Sequence, residues 1–241
     1  MKIIRLETAD STNNWAAKNE SAFPSPALIY CISQTAGRGQ RGNSWESEPG
    51  KNITASTIFH PENFPAAQQF KISEIIALSL IDYLKKKGVE AKVKWPNDIY
   101  VGDKKICGIL VEHAVVGRNI TRTIAGFGLN LNQKKFVSDA PNPVSLTQIT
   151  GQEYDIEKEI HEVSSFLDQY LDSLNNEDIH SRFLSKLWRY DGAFHKFHDK
   201  LKDQRIEAKI HNVAPDGILT LITKEGEKRD YAFKEIEFIL G

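Results

Sequence analysis

The chain has 241 residues, 40% hydrophobic and 26% charged, a globular composition with enough apolar material for one sizeable core and a small appended unit. Its 31 basic and 32 acidic residues leave a formal net charge of −1, so no long-range field draws it to nucleic acid or membrane and any cationic site must be local. The apolar runs are strand-length and "MKIIRLETAD" holds no signal-peptide core, which predicts a cytoplasmic protein with no membrane partner.

In chain order, "KIIRL" (2–6) reads as a strand, and Asp10, Ser11 and Thr12 offer caps for a short helix. "ALIYCIS" (27–33) is a continuous apolar run expected of a strand buried on both faces, and "NITASTIF" (52–59) follows as another. Phe70, Ile72, Ile76, Leu80 and Leu84 recur at near-helical spacing within 66–88, closed by Gly88. "AKVKW" (91–95) and "DIYV" (98–101) predict short strands, and 106–116 with 120–132 predict a hairpin around "GRN". Amphipathic helices are expected over 155–174 and 176–190. The tail, 205–240, alternates apolar and polar residues between "PDG" and "KEGEK" turns, predicting a small SH3-like barrel after a boundary near Phe194. Cys31 and Cys107 sit in strand-like runs and read as buried free thiols.

The stretch "SQTAGRGQRGNSWESEPGKN" carries Gly37, Gly39 and Gly42 at dinucleotide-loop spacing. That fold needs a helix directly behind the glycines. Here Pro49 and Gly50 fall within its first turns, and an interior proline costs a helix about 3 kcal/mol. The Rossmann reading is rejected. A glycine-rich loop can instead wrap a ligand with its backbone N–H groups turned to oxyanions, while Arg38 and Arg41 supply the charge a helix dipole supplies elsewhere. The alternative is a solvated turn. Three further features favour the ligand. Lys94 lies between strand and rigid turn in "KVKWPNDIYV", partly desolvated, with Asn97 and Asp98 beside it as turn caps or as contacts. Gly108 interrupts the strand "KKICGILVE", as where a ligand or another backbone approaches closely. In "GFGLNLN", Gly126, Gly128, Asn130 and Asn132 share one face of a strand.

"DSTNN", "QTAGRGQRGNSW", "KWPNDIYV", "KICGILVE" and "GFGLNLN" occur in the order found in biotin–protein ligases. Each motif is weak alone; together they make residues 8 to 132 resemble that family, in its monofunctional form. The resemblance implies an α+β fold: a mixed, mostly antiparallel sheet flanked by helices, like class II aminoacyl-tRNA synthetases, over residues 1–193, and an SH3-like domain over 194–241. It also implies a two-step reaction. Biotin's carboxylate attacks the α-phosphate of ATP, with magnesium present, giving biotinyl-5′-AMP; a lysine of a biotin carboxyl carrier domain then takes the biotinyl group.

Carried over position by position, the resemblance makes Lys94 and Arg38 the catalytic cations. It places Ser11, Thr12, Asn13, Gln34, Gly37, Arg38, Gly39, Gln40, Lys94 and Gly108 around biotin. Around the adenylate it places Arg38, Gln40, Arg41, Trp45, Asn97 and Asn130. No residue is assigned to a metal. Gln40 stands where the family often has an arginine. The segment after "GLNLN" lacks the tryptophan that some relatives set against adenine, with Pro143 and Val144 near that position. The ligase motifs begin by residue 10, so neither an N-terminal DNA-binding domain nor nucleic-acid binding is expected. A homodimer formed through a sheet edge at 106–116 or 120–132 is open. A lipoate–protein ligase and a non-catalytic biotin-binding module are the rival readings.

Overall fold

A computed structural model describes residues 1–23, 26–138 and 142–240, with Arg41 described by its backbone alone. Eight strands form the main sheet: β1 (Lys2–Ala9), β2 (Ala27–Gln34), β3 (Ile53–Phe59), β4 (Phe64–Pro65), β5 (Lys92–Lys94), β6 (Asp98–Val101), β7 (Lys104–Val116) and β8 (Asn119–Leu129). Their order is β1-β2-β3-β8-β7-β6-β5, with β4 beside β8. Among these strands only β1 and β2 run parallel. The mostly antiparallel sheet expected from the sequence is present.

Alternation along the central strands divides the sheet into two faces. Leu28 and Tyr30 of β2, Ile53 and Ala55 of β3, Ile109 of β7 and Phe127 of β8 share one core with α2 (Phe70–Lys86). That helix is buried on nearly every side because α4 (Ile156–Asp172) and α5 (Asp178–Ser185) pack over it. Each fully buried leucine or isoleucine there contributes about 1.5–3 kcal/mol. On the opposite face lies α1 (Thr12–Lys18), short and amphipathic, with Ala16 packed near Ile29 and Ile124.

Four elements depart from the sequence reading. The helix expected from 66 begins at Phe70, after Pro65 and a single 3-10 turn, Ala66–Gln68. The helix expected over 176–190 stops at Ser185, because the outer edge of β5 captures the following chain: Val93 N donates to Lys186 O (2.8 Å) and Trp188 N to Val93 O (2.7 Å). An additional helix, α3 (Leu146–Thr150), is closed by a capping box between Ser145 and Gln148 and ends at Gly151 in left-handed conformation. Finally, 120–132 is no free edge. β8 is flanked by β7 on one side and by β3 and β4 on the other, and within β7 Ile109–Val116 lack a second neighbouring strand.

The tail forms a second sheet of β9 (His195–Asp199), β10 (Gln204–Val213), β11 (Leu219–Thr223), β12 (Lys228–Tyr231) and β13 (Ile236–Phe238), antiparallel in the order β12-β11-β10-β9-β13. It docks on the turn before β6. Trp95, 2% exposed, donates its indole N–H to Gly217 O (3.0 Å) and meets Phe233 edge-on at 5.3 Å. Gly217, in the "PDG" turn, has φ +94° and no room: a Cβ there would come within 2.8 Å of Phe70. Gly217→Ala is therefore expected to lower stability by about 2–4 kcal/mol, combining overpacking with left-handed strain. Urea denaturation checks this; a change under 0.5 kcal/mol would contradict the packing described.

Candidate active site

The site-facing residues of β7 and β8 lack side chains where a cavity opens. Gly108 and Gly128 are directly paired across the two strands, and Gly126 lies two residues along on the same face. A Cβ at Gly128 would stand 2.1 Å from the Trp45 indole, one at Gly108 2.8 Å from it, and one at Gly126 2.1 Å from Asn13 Oδ1. Real Cβ atoms do not approach that closely. The glycines therefore form seats, one pair for Trp45 and one for Asn13, and the cavity of about 810 Å³ lies along them.

One end of the cavity is a buried polar cluster built by the start of α1. Ser11, Thr12 and Asn13 are 3%, 4% and 3% exposed. Gln34 Oε1, at the end of β2, accepts from Thr12 N (2.8 Å), which orients the first turn. Ser56 Oγ of β3 sits 2.7 Å from Thr12 Oγ1 and 2.6 Å from Asn13 Oδ1. Asn13 Nδ2 donates to Leu110 O (3.2 Å) and Glu112 Oε2 (2.8 Å). Ser11 Oγ and Gln34 Nε2 make no hydrogen bond among the described residues, so this end presents neutral polar groups to an occupant.

The other end holds Trp45 and Asn130. Two of their polar atoms, Trp45 Nε1 and Asn130 Oδ1, are buried with no partner among the described residues. Both residues line the cavity; Trp45 Nε1 is turned to the Gly128 backbone, and the unsatisfied Asn130 acceptor is what a bound donor would complete. The Asn130 amide nitrogen is held by Val144 O at 3.1 Å. Asn132, expected on the same strand face, lies beyond the end of β8 at Leu129, outside the cavity lining, and ties the chain to Tyr154 and Thr147 instead.

Two cations also line the cavity. Lys105 Nζ is 2.7 Å from Asp98 Oδ1 and 5.5 Å from the Trp45 ring centroid. Lys94 Nζ stands 5.3 Å from the ring centroids of both Tyr100 and Phe238. Burial holds the Lys94 ammonium below the usual lysine range, with Asp98 opposing that shift and Lys105 adding to it. Such a desolvated cation interacts strongly with an anion that enters.

Of the residues singled out in the sequence, Ser11, Thr12, Asn13, Gln34, Arg38, Gly39, Gln40, Trp45, Lys94, Asn97, Gly108 and Asn130 line this one cavity. Gly37 stands behind it: a Cβ there would be 2.6 Å from Trp45 O, and its own carbonyl accepts from Trp45 N at 2.9 Å. The Arg41 side chain lies outside the described residues. Two of these residues also hold protein partners. The Arg38 guanidinium, expected at the reacting anions, donates to Glu112 Oε1 (2.7 Å) and Asn14 Oδ1 (2.6 Å). Asn97, expected at the nucleotide, donates its amide to Ile109 O (2.7 Å) and accepts from Ile109 N (2.9 Å), fastening the turn before β6 to β7.

The sequence reading missed Lys105, Ser56 and the wall contributed by the C-terminal sheet, where Lys200, Lys234, Ile236, Glu237 and Phe238 line the cavity, and it weighed Asp98 without its partner Lys105. Lys105 lies within the quoted "KKICGILVE" and Asp98 within "KWPNDIYV"; the signal for them was Gly108, three residues after Lys105 and paired with Asp98 across the β6–β7 ladder. Cys31 and Cys107 are free and buried. Burial pushes both thiols up, which removes them from nucleophilic chemistry.

The Biotin/lipoate A/B protein ligase family model matches residues 5–130. That span is more than half of the chain, and the protein belongs to this family. It is 26% identical over 234 residues to the bifunctional ligase/repressor BirA of Bacillus subtilis, covering 94% of this chain and 70% of that one. It is 32% identical over 160 residues to the biotin–[acetyl-CoA-carboxylase] ligase of Paracoccus denitrificans, covering 64% of this chain and 66% of that one. Among solved structures, the biotin protein ligase from Aquifex aeolicus in complex with biotin and ATP superposes with a TM-score of 0.80 at 23% identity, over 100% of this chain and 99% of that one. The Leishmania major biotin protein ligase in complex with biotinyl-5-AMP superposes with a TM-score of 0.67 at 19% identity, over 96% and 98%. At these identities the structural likeness establishes the fold. Among the described residues, no helix is long and apolar enough to cross a membrane.

The seats make a direct expectation. Gly128→Ala should displace the indole of Trp45, at a cost of about 1–3 kcal/mol in stability. Tryptophan emission should shift to the red while far-ultraviolet circular dichroism stays unchanged. An unshifted emission spectrum would contradict the seat.

Proposed function

We propose that the protein is an ATP-dependent biotin–protein ligase that activates biotin as biotinyl-5′-AMP and transfers it to a lysine of a biotin carboxyl carrier domain. The observation that carries this reading is the buried neutral cluster of Ser11, Thr12, Asn13 and Gln34, backed by Ser56, at one end of a cavity whose other end holds Trp45 with Lys105 beside it, and which Lys94 also lines. A urea ring has one carbonyl and two N–H groups, each needing a partner once buried. Hydroxyls and amides meet that need. The dithiolane of lipoate has no such groups, and this cluster would stay desolvated over it without return.

In the first step a carboxylate oxygen of biotin bonds to the α-phosphorus of ATP and the bond to pyrophosphate breaks. The two reactants are anions and repel, so the protein's task is to hold them in line and stabilise the charge. Lys105 and Lys94 lie where that charge gathers; Lys105 must exchange Asp98 for phosphate. Asn130 Oδ1 is the unsatisfied acceptor left for the nucleotide. In the second step a neutral lysine amine of the carrier attacks the acyl carbon, AMP leaves with the bonding electron pair, and the amide nitrogen gives up its proton. The aromatic side chains around the cavity keep water from the anhydride meanwhile.

The reaction class implies magnesium with ATP. Among the described residues no group of three or more His, Cys, Asp and Glu side chains is placed to hold a metal, and Asp98 and Glu237 are engaged with Lys105 and Lys200. The residues build no metal cage of their own, so the ion would arrive with the phosphates, and no step of the proposal runs through it. Residence in the cytoplasm, where ATP is abundant and thiols stay reduced, suits free Cys31 and Cys107.

Incubation with ATP, biotin and a carrier domain is expected to add one biotinyl mass to the carrier, and pyrophosphate–ATP exchange should depend on biotin. Lys105→Ala and Lys94→Ala should each slow exchange by about 10²–10³-fold. Exchange that needs lipoate, or none at all, would overturn the assignment. A variant with full activity removes that lysine from the mechanism. Gln40→Arg adds a cation at the cavity, and its release of the acyl-adenylate should be slower in rapid-quench measurements; equal release rates would show that position 40 does not retain the intermediate.

A further inference from the structure

The carboxylate of Glu46 joins two separate segments at the cavity. It follows Trp45 in the glycine loop and accepts four hydrogen bonds, every one from the segment after β8. Val137 N donates to Oε1 (3.0 Å) and Oε2 (3.1 Å), Ser138 N to Oε2 (2.8 Å), and Gln133 Nε2 to Oε1 (3.0 Å). Two consecutive backbone N–H groups turned on one anion form a small nest, which a neutral side chain would fill poorly. Burial would raise the carboxyl's pKa, yet the hydrogen bonds from Ser138 and Val137 outweigh it and hold the group below its usual range. Gln133 extends the joint, since its Oε1 accepts from Glu48 N (2.9 Å) and Asn52 Nδ2 (2.6 Å).

The chain neighbours of this joint matter most. Trp45 precedes Glu46, Phe136 precedes Val137, and both aromatic side chains line the cavity. Trp45 cannot move toward the sheet, because Gly108 and Gly128 already seat it. Phe136 has no comparable seat; its place is set by the segment it belongs to, and Glu46 fixes that segment. Asn130, with its unsatisfied Oδ1, and Pro143 line the cavity too. A flat heteroaromatic ring with an exocyclic amine matches that combination of aromatic faces and a free acceptor.

We infer that Glu46 is a positioning residue that latches the 133–138 segment to the glycine loop and thereby sets Phe136 as the second aromatic wall of the nucleotide base site. The inference rests on the ligase reading for the identity of the base. The latch itself does not. Glu46 touches no reacting atom, and its effect should fall on the nucleotide and spare biotin, whose polar cluster lies at the other end.

The test uses the full chain in two ways. Without ligand, hydrogen exchange at the Val137 and Ser138 amides should be about tenfold or more faster in Glu46→Ala than in wild type; equal exchange overturns the latch. In biotin-dependent pyrophosphate–ATP exchange, Glu46→Ala should raise KM for ATP about 10–100-fold, as loss of hydrogen bonds to a charged group does, with KM for biotin changed less than about threefold. Glu46→Gln, which keeps one acceptor oxygen, should fall between. Phe136→Ala should reproduce the ATP defect, and adding Glu46→Ala to it should change little further. An unchanged KM for ATP, an equal rise for both substrates, or fully additive effects of the two substitutions overturns the inference. Absence of exchange in wild type would overturn the ligase reading, and the amide protection would still decide the latch.

Discussion

The site depends on a missing layer of side chains. At Gly108, Gly126 and Gly128 the sheet presents bare backbone, and Trp45 and Asn13 reach within 2.1 to 2.8 Å of where Cβ atoms would stand. Protein interiors do not keep such gaps empty, because lost contacts and cavity cost both weigh against them. The glycine loop and the first turn of α1 are drawn in to fill two of them. What remains between the fillers is the cavity, floored by peptide groups and polar at one end, aromatic at the other. One pattern of glycines in a hairpin thus fixes the positions of two segments distant in sequence.

The second sheet completes what the first begins. Trp95 ties it to the turn before β6 through Gly217, and a chain of rings from Tyr100 through Trp188 and Phe238 to Phe197 links the two sheets. Phe238 lies over Lys94 and also lines the cavity. A lysine pressed between rings loses hydration, and its attraction for an anion rises as the local dielectric falls. In this structure the tail is therefore a wall of the site as well as a cover for the core. Its removal would rehydrate Lys94 and open the cavity to water.

Local pattern made much of the fold legible. The continuous apolar run of β2, the near-helical spacing of α2 and the hairpin of β7 and β8 each follow from residues close in sequence. The alternation of Gly126, Gly128 and Asn130 announced a face that is not core. α3 was legible too, since Ser145 and Gln148 stand at capping-box spacing before it, but it is only five residues long and its apolar pattern is weak. The early end of α5 was not legible: it comes from the edge of β5, some ninety positions away. The same reason hides Ser56 behind Thr12 and Asn13, and the pairing of Arg38 with Glu112. A guanidinium in a glycine loop reads as an anion clamp, and the carboxylate that meets it from another strand shows only in the fold. Lys105 and Asp98 were within quoted motifs, and only the ladder between β6 and β7 brings them together.

The central claim is that the hairpin glycines set a cavity, lined by Lys94 and Lys105, whose two ends take a urea ring and an adenine ring. A crystal structure of the full chain with biotin and a non-hydrolysable ATP analogue tests it most directly. The account requires the urea against Ser11, Thr12, Asn13 and Gln34, the base beside Trp45 with a donor on Asn130 Oδ1, and the α-phosphate facing Lys105. A ligand bound in the reverse sense, or with both rings away from Gly126 and Gly128, would contradict it.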